Sequence, residues 1–212
     1  MGEMAFGMLM ADRLEAGFAD EADTYLWDVQ GWYGGDRDRW WVKSEGEGEL
    51  GHSPEAAELQ VLFGRMFAPF WDWQVGVRHD FRPRPDRTHL VLGVQGVAPY
   101  EFEIDTALFL SDQGDLSGRL EAEYEIRITQ RLVLQPRFEL NAALSDDRET
   151  GLADGLNSTE LGLRLRYEIE RELAPYIGVA WEQQYGGTAD LARAQGEPTS
   201  LTSVVIGLRA WF

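Results

Sequence analysis

Between residues 116 and 128 the chain alternates without a break. Arg119, Glu121, Glu123, Glu125 and Arg127 occupy one parity and Leu120, Ala122, Tyr124, Ile126 and Ile128 the other. A repeat of two is the repeat of a β-strand, so one face of this segment is ionised and the other is apolar. The pattern recurs with Glu58 and Gln60 against Leu59 and Val61, with Asp72 and Gln74 against Trp71, Trp73 and Val75, and through Leu161–Ile169. Marking such stretches and the turn residues between them predicts twelve strands. They are Glu3–Gly17, Thr24–Tyr33, Asp38–Glu47, Ala56–Phe67, Trp71–Phe81, Thr88–Val97, Glu101–Ser111, Leu116–Ile128, Leu132–Leu144, Ser158–Ile169, Tyr176–Tyr185 and Ser200–Phe212. Each is near the ~10 residues with which a tilted strand crosses a bilayer.

Composition narrows what such a chain can do. The absence of cysteine among 212 residues excludes disulfide scaffolds, thiolate metal sites and cysteine nucleophiles. A formal charge of -18 argues against a nucleic-acid partner, because phosphate binding needs clustered Lys and Arg. No run of 18 apolar residues exists to form a membrane helix. The first twenty residues carry Asp12, Arg13 and Glu15 and do not read as a signal peptide.

A soluble sandwich alternates as well, with its charges in water. Three features favour a barrel in lipid. The links after even-numbered strands are tight, at Gly34-Gly35, Ala68-Pro69, Ala98-Pro99, Thr129-Gln130 and Arg171 to Ala174. Most links after odd-numbered strands are longer and polar, notably Glu47 to Pro54, Arg82 to Arg87, Ser145 to Asn157 and Gly186 to Thr199. Short turns at one end and long loops at the other describe an outer-membrane barrel. Aromatic residues gather at strand ends, as at Trp40-Trp41, Phe67, Phe70-Trp71, Tyr100, Tyr176, Tyr185 and Trp211-Phe212, where interfacial girdles form. Ala-Pro-aromatic occurs at Ala68-Pro69-Phe70, Ala98-Pro99-Tyr100 and Ala174-Pro175-Tyr176, which predicts a rigid turn beside a girdle ring each time. Finally, the alternating ending Val204–Phe212 resembles the C-terminal signature of bacterial outer-membrane barrels. The expectation is an all-β, up-and-down antiparallel transmembrane β-barrel of about 12 strands, a single domain over residues 1–212, in the bacterial outer membrane. Pro136 disagrees, since it removes an N–H from the ninth strand; a bulge or a lost ladder bond is required there.

Several stretches together resemble the copper-resistance protein B family of outer-membrane proteins. They are Leu26-Trp27-Asp28-Val29-Gln30-Gly31-Trp32-Tyr33, Val42-Lys43-Ser44-Glu45-Gly46-Glu47, Ala68-Pro69-Phe70-Trp71-Asp72 and Val91-Leu92-Gly93-Val94-Gln95-Gly96. Arg119-Leu120-Glu121-Ala122-Glu123-Tyr124, Gln135-Pro136-Arg137 and Glu160–Glu168 belong to the same resemblance, which spans nearly the whole chain and includes Pro136. It implies a role in bacterial copper tolerance, with copper ions (Cu+ or Cu2+) as the ligand, and with outer-membrane lipids and periplasmic copper-handling proteins as partners. Family members commonly carry a Met- and His-rich region before the barrel, and the sequence read here has none.

If the apolar face meets lipid, the charged face lines the lumen. The inward acids include Asp28, Glu45, Glu58, Asp72, Glu103, Asp105, Glu121, Glu123, Glu160 and Glu168, with Glu47, Asp80, Glu101, Glu125, Glu139 and Glu182 beside them. Against these stand Lys43, Arg78, Arg119, Arg127, Arg137, Arg164, Arg166 and Arg209. Such an excess of acids draws cations and opposes anions; paired Arg–carboxylate networks that merely fill the barrel would use the same residues. Thioethers and imidazoles suit copper, sulfur favouring the cuprous ion. Met8, Met10, Met66 and His89 are therefore the candidate metal ligands, with Met4, His52 and His79 as weaker ones. Met8 and Met10 share a face, but Arg13 and Glu15 have the opposite parity, so only a bulge or a plug would turn both methionines inward. The leading function is a barrel that binds or passes copper ions across the outer membrane. The alternative is a structural or general small-solute barrel without a metal role. An enzyme is disfavoured, because His79 beside Asp80 and His52 beside Ser53 point to opposite sides of a strand.

Overall fold

The computed structural model describes residues 5–20 and 22–212. Met4, and Glu3 at the start of the first predicted strand, lie outside the described residues. The strands are β1 (Phe6–Phe18), β2 (Thr24–Gly34), β3 (Asp38–Glu49), β4 (Ala56–Ala68), β5 (Trp71–Arg82), β6 (Arg87–Ala98) and β7 (Phe102–Ser111). They continue as β8 (Leu116–Tyr124), β9 (Ile126–Arg127), β10 (Leu132–Ala143), β11 (Gly155–Tyr167), β12 (Leu173–Gln184) and β13 (Ser200–Trp211). Every strand pairs antiparallel with its neighbours, and β1 pairs with β13 from Met10 opposite Trp211 to Phe18 opposite Val204, so the sheet closes on itself. Among the described residues only the two-residue β9, which pairs with β10 alone, keeps a free edge; the other strands are paired on both sides, which is the condition for strands to lie in hydrocarbon.

β8 and β9 are two parts of one stave, so the barrel has twelve staves. The break falls at Glu125. Arg137 faces Glu123 and Leu134 faces Ile126, which sets Pro136 against the interruption. The imide nitrogen has no hydrogen to give, so the ladder lapses there while register is kept on both sides. On its other edge β10 pairs continuously with β11, Pro136 lying opposite Leu163.

The connections keep the predicted parity. Tight turns at 35–37, 69–70, 99–101, 128–131 and 168–172 occupy one end, and the segments 19–23, 50–55, 83–86, 112–115, 144–154 and 185–199 the other. We call these the inner and outer ends, since short turns face the periplasm in such barrels. Phe70 (φ 67°) and Tyr100 (φ 71°) sit in the left-handed region directly after Pro69 and Pro99, as the second central position of a proline turn demands. The third Ala-Pro-aromatic does not form a turn. Ala174-Pro175-Tyr176 lies within β12, and Tyr176 points into the barrel, where Gly207 leaves room for its ring. The segment after Tyr185 also departs from the expected loop. It holds α1 (Gly186–Gln195), closed by Gly196 at φ 83°, whose N–H meets the carbonyls of Ala192 and Arg193. Buried Thr188 and Asn157 tie this helix to the 144–154 loop through Ala153.

Burial decides between lipid and water. Leu165, Ile177 and Ile206 form one row across three strands and are 36%, 52% and 52% exposed, and Val61, Val77 and Leu90 form another at 45%, 44% and 62%. Arg13, Arg137, Arg164 and Arg166 are only 2–4% exposed. A belt of aliphatic side chains outside and guanidinium groups inside is the inverse of a water-soluble fold, and hydrocarbon is the medium that favours it. One part of the interior is apolar, however. Trp41, Leu62, Val91 and Phe109 form a buried inward cluster on β3, β4, β6 and β7. Trp40 faces outward as a girdle ring, whereas Trp41, one residue later, belongs to the lumen.

Candidate functional site: the barrel lumen

The lumen is three cavities in series. An outer vestibule of about 810 Å³ reaches in to Glu45, Glu58, Phe109 and Arg119. The same four residues bound a central cavity of about 420 Å³. Met8, Met10 and Arg209 separate that cavity from an inner mouth of about 290 Å³.

Alternation puts the acids inside, and the cross-lumen distances decide what they meet. Arg13 reaches Asp28 (3.3 Å), Glu45 (2.8 Å) and Glu160 (3.7 Å). Arg137 holds Glu121 (2.6 Å), Glu123 (3.1 Å) and Glu139 (3.0 Å). Arg164 pairs with Glu15 at 2.5 Å, and the Tyr176 hydroxyl donates to the same carboxylate at 2.9 Å. Lys43 crosses to Asp105 at 2.6 Å. Arg166 reaches Glu125 (2.5 Å) and Glu168 (3.7 Å). Burying a charge costs free energy that only close, hydrogen-bonded partners of opposite sign offset, and each of these groups has one.

Of the predicted inward acids, Asp28, Glu45, Glu58, Glu103, Asp105, Glu121 and Glu123 line the central cavity. Glu160 lines the vestibule and Glu168 the inner mouth. Asp72 lies at the inner end of β5, 3.8 Å from Arg39, and borders none of the three cavities. Glu101 falls in an inner turn at φ 64° rather than in the lumen, and Arg127 is a largely exposed residue at the inner mouth.

The methionines turn inward through a β-bulge. Ala11 faces Val29 and Arg13 faces Asp28, so Asp12 is an extra residue that shifts the register, and the pairing with β13 shifts over the same stretch. Met8, Met10 and Asp12 are inward before the bulge, and Arg13 and Glu15 after it. The adjacent charges Asp12-Arg13 were the legible sign of this, since neighbouring residues of a regular strand cannot both face inward. Arg209 lies against this site, 3.7 Å from the Met10 sulfur, with its charge balanced by Asp12 (2.9 Å) and Glu125 (3.0 Å).

The four candidate metal ligands do not converge. Met66 is opposite Asp72 near the inner end of β4, outside the cavities that Met8 and Met10 line. His89 is at the outer end of β6, in the vestibule, its Nδ1 3.8 Å from Asp80 and its ring edge-on to Phe109. Among the described residues no group of three or more His, Asp or Glu is arranged to hold a metal ion. His79 meets Thr88 at 2.9 Å, and His52 is an exposed outer-loop residue 3.4 Å from Glu49.

The chain matches the family described as copper resistance protein B precursor (CopB) over residues 5–212. It is 47% identical to the copper resistance protein B of Escherichia coli over 97% of this chain and 69% of that protein. The chain belongs to the copper resistance protein B family. A second relative, the copper resistance protein B homolog of Pseudomonas syringae pv. tomato, is 42% identical over 96% of this chain and 69% of its own length. Among solved structures the fold is similar to the NanC porin, with a TM-score of 0.63 at 15% identity over 93% of this chain and 98% of that one. It is also similar to the KdgM porin in complex with disordered oligogalacturonate, with a TM-score of 0.58 at 9% identity over 98% and 99%. These likenesses establish the architecture, a closed antiparallel β-barrel of the porin type. Family and fold together make this chain a copper-resistance barrel of the outer membrane, a role that suggests no enzymatic chemistry.

Proposed function

We propose that this barrel binds copper ions within its lumen and passes them across the outer membrane. Met8 and Met10 are the soft ligands at the inner constriction, and the acids of the central cavity are the hard approach to it. The bulge at Asp12 carries this reading: without it both thioethers would point to lipid. Two sulfurs two residues apart on one strand face lie roughly 7 Å apart at Cα, within reach of a shared ion once the flexible thioether arms converge. Thioethers favour the cuprous ion over the cupric, and Arg209, being neutralised by Asp12 and Glu125, adds little net repulsion. His89 and Met66 stand apart from this pair, at the outer vestibule and the inner rim. The periplasmic copper-handling proteins suggested by the family would meet the tight-turn end.

The test is competition for Cu+ between the detergent-purified barrel and a chromogenic chelator under reducing conditions. Met8→Leu with Met10→Leu is expected to abolish protein-bound Cu+ and leave folding intact, while His89→Ala leaves it unchanged. Equal Cu+ retention by the wild type and the double variant would overturn the assignment. The alternative, a general small-solute barrel, predicts metal-indifferent leakage, which the ion pairs spanning this lumen oppose.

A further inference from the structure

The boundary between vestibule and central cavity is made by one side chain that crosses the barrel. Arg119 projects from β8. Its Nη1 is 2.7 Å from Glu45 on β3 and its Nη2 3.1 Å from Glu58 on β4. Counted around the sheet through β4, β5, β6 and β7, β3 and β8 lie nearly opposite one another. The contact is therefore a strut across the lumen rather than a rung between neighbouring strands. Nε adds a 3.4 Å hydrogen bond to Asn141, and the guanidinium lies 5.9 Å from the centre of the Phe109 ring. The four residues common to both cavities are this guanidinium, its two carboxylates and that ring.

We propose that Arg119 is a latch that also sets ion selectivity: a tethered cation occupying a cation seat formed by Glu45 and Glu58. A cation moving between vestibule and central cavity must displace it. The seat survives loss of the latch, because Glu45 keeps Arg13 at 2.8 Å and Glu58 keeps Arg78 at 2.8 Å. Oε2 of Glu45, held by Arg119 alone among the close pairs, is then freed, while Glu58 stays anchored, at Oε2 by Arg78 and at Oε1 by the Gln60 amide. Without Arg119 the opening is thus both wider and more negative, which favours cations over anions.

The inference rests on the lumen being the ion route, but its test needs no copper. Wild type, Arg119→Ala and Glu45→Gln/Glu58→Gln are reconstituted into planar bilayers in KCl, each first shown to be folded by its heat-modifiable migration on gels. Arg119→Ala is expected to raise K+ conductance about tenfold or more, equivalent to about 1.4 kcal/mol removed from the barrier. Its reversal potential in a KCl gradient should be that of a cation-selective pore. The double Gln variant removes the seat and leaves Arg119 beside Glu139 (3.7 Å) and Glu121 (3.9 Å); it should conduct with reduced cation preference or with preference for chloride. An Arg119→Ala barrel that is folded and conducts no better than wild type, or that prefers chloride, overturns the latch. If it conducts as expected while Met8→Leu/Met10→Leu retains Cu+, the latch stands and the methionine assignment alone falls.

Discussion

Replacing Arg137 by Met tests whether the buried, ion-paired network described above holds the barrel together. The Arg137 side chain is 2% exposed and contacts Glu121, Glu123 and Glu139 within 3.1 Å. Methionine keeps much of the volume and removes the charge, leaving three carboxylates facing one another across β8 and β10. Breaking a buried pair by deleting one partner costs about 3–5 kcal/mol, because the remaining charge has lost its compensation. The folded-to-unfolded ratio should then fall roughly a hundred- to a few-thousand-fold. Urea unfolding in lipid vesicles, followed by tryptophan fluorescence, measures this directly. Adding Glu121→Gln and Glu139→Gln to Arg137→Met should restore most of the loss, since the repulsion goes with the charges. A loss below about 1 kcal/mol, the range of solvated pairs, would mean that water screens the network, and the reasoning from the burial of Arg137 would be refuted.

Three further outcomes are expected. Leu120→Arg, at the middle of β8 and facing out, should destabilise the barrel by about 2–4 kcal/mol in a bilayer; a neutral result would remove Leu120 from the lipid face. Tyr100→Gly relieves a left-handed non-glycine residue and should raise the unfolding free energy by up to roughly 1–2 kcal/mol; a lower unfolding free energy would show that the exposed ring anchors the turn in the interface more than the backbone strain costs. The outer loop 144–154 is clamped by Arg87, which donates to Asp147 at 2.9 Å and to Glu149 at 2.8 Å. Partial burial raises the Asp147 carboxyl, but the Arg87 hydrogen bonds and charge outweigh this and hold it below the usual carboxylate range. A lowered folded value means that docking is complete above the ordinary carboxylate pKa near 4 and is lost as the pH falls through the lowered one. Hydrogen exchange of this loop should accelerate under acid, and Asp147→Asn should give fast exchange at every pH; a pH-independent, slow loop in both proteins would contradict the clamp.

Alternation, turn chemistry and loop parity were local properties, so the sequence alone carried the strand count, the inner and outer ends, and the sorting of side chains into lipid-facing and inward sets. A strand obeys its period of two wherever nothing is inserted, which is why Glu58, Glu121 and Glu123 are where their parity puts them. The period fails at an insertion. The bulge at Asp12 adds one residue to β1 and turns Met8 and Met10 from lipid to lumen; the adjacent charges Asp12-Arg13 hint at it, and the pairing with β2 and β13 shows it. Parity is equally silent about depth and partner. It could not give Trp41 its buried partners Leu62, Val91 and Phe109, bring Tyr176 against Glu15, or place His89 and Met8 at opposite ends of the lumen. Nor could it bring Arg119 across to Glu45, since that contact joins residues 74 apart and depends on the curvature that closes the sheet. Which residues face inward is written along each strand; which of them touch is decided by the barrel that brings opposite walls together.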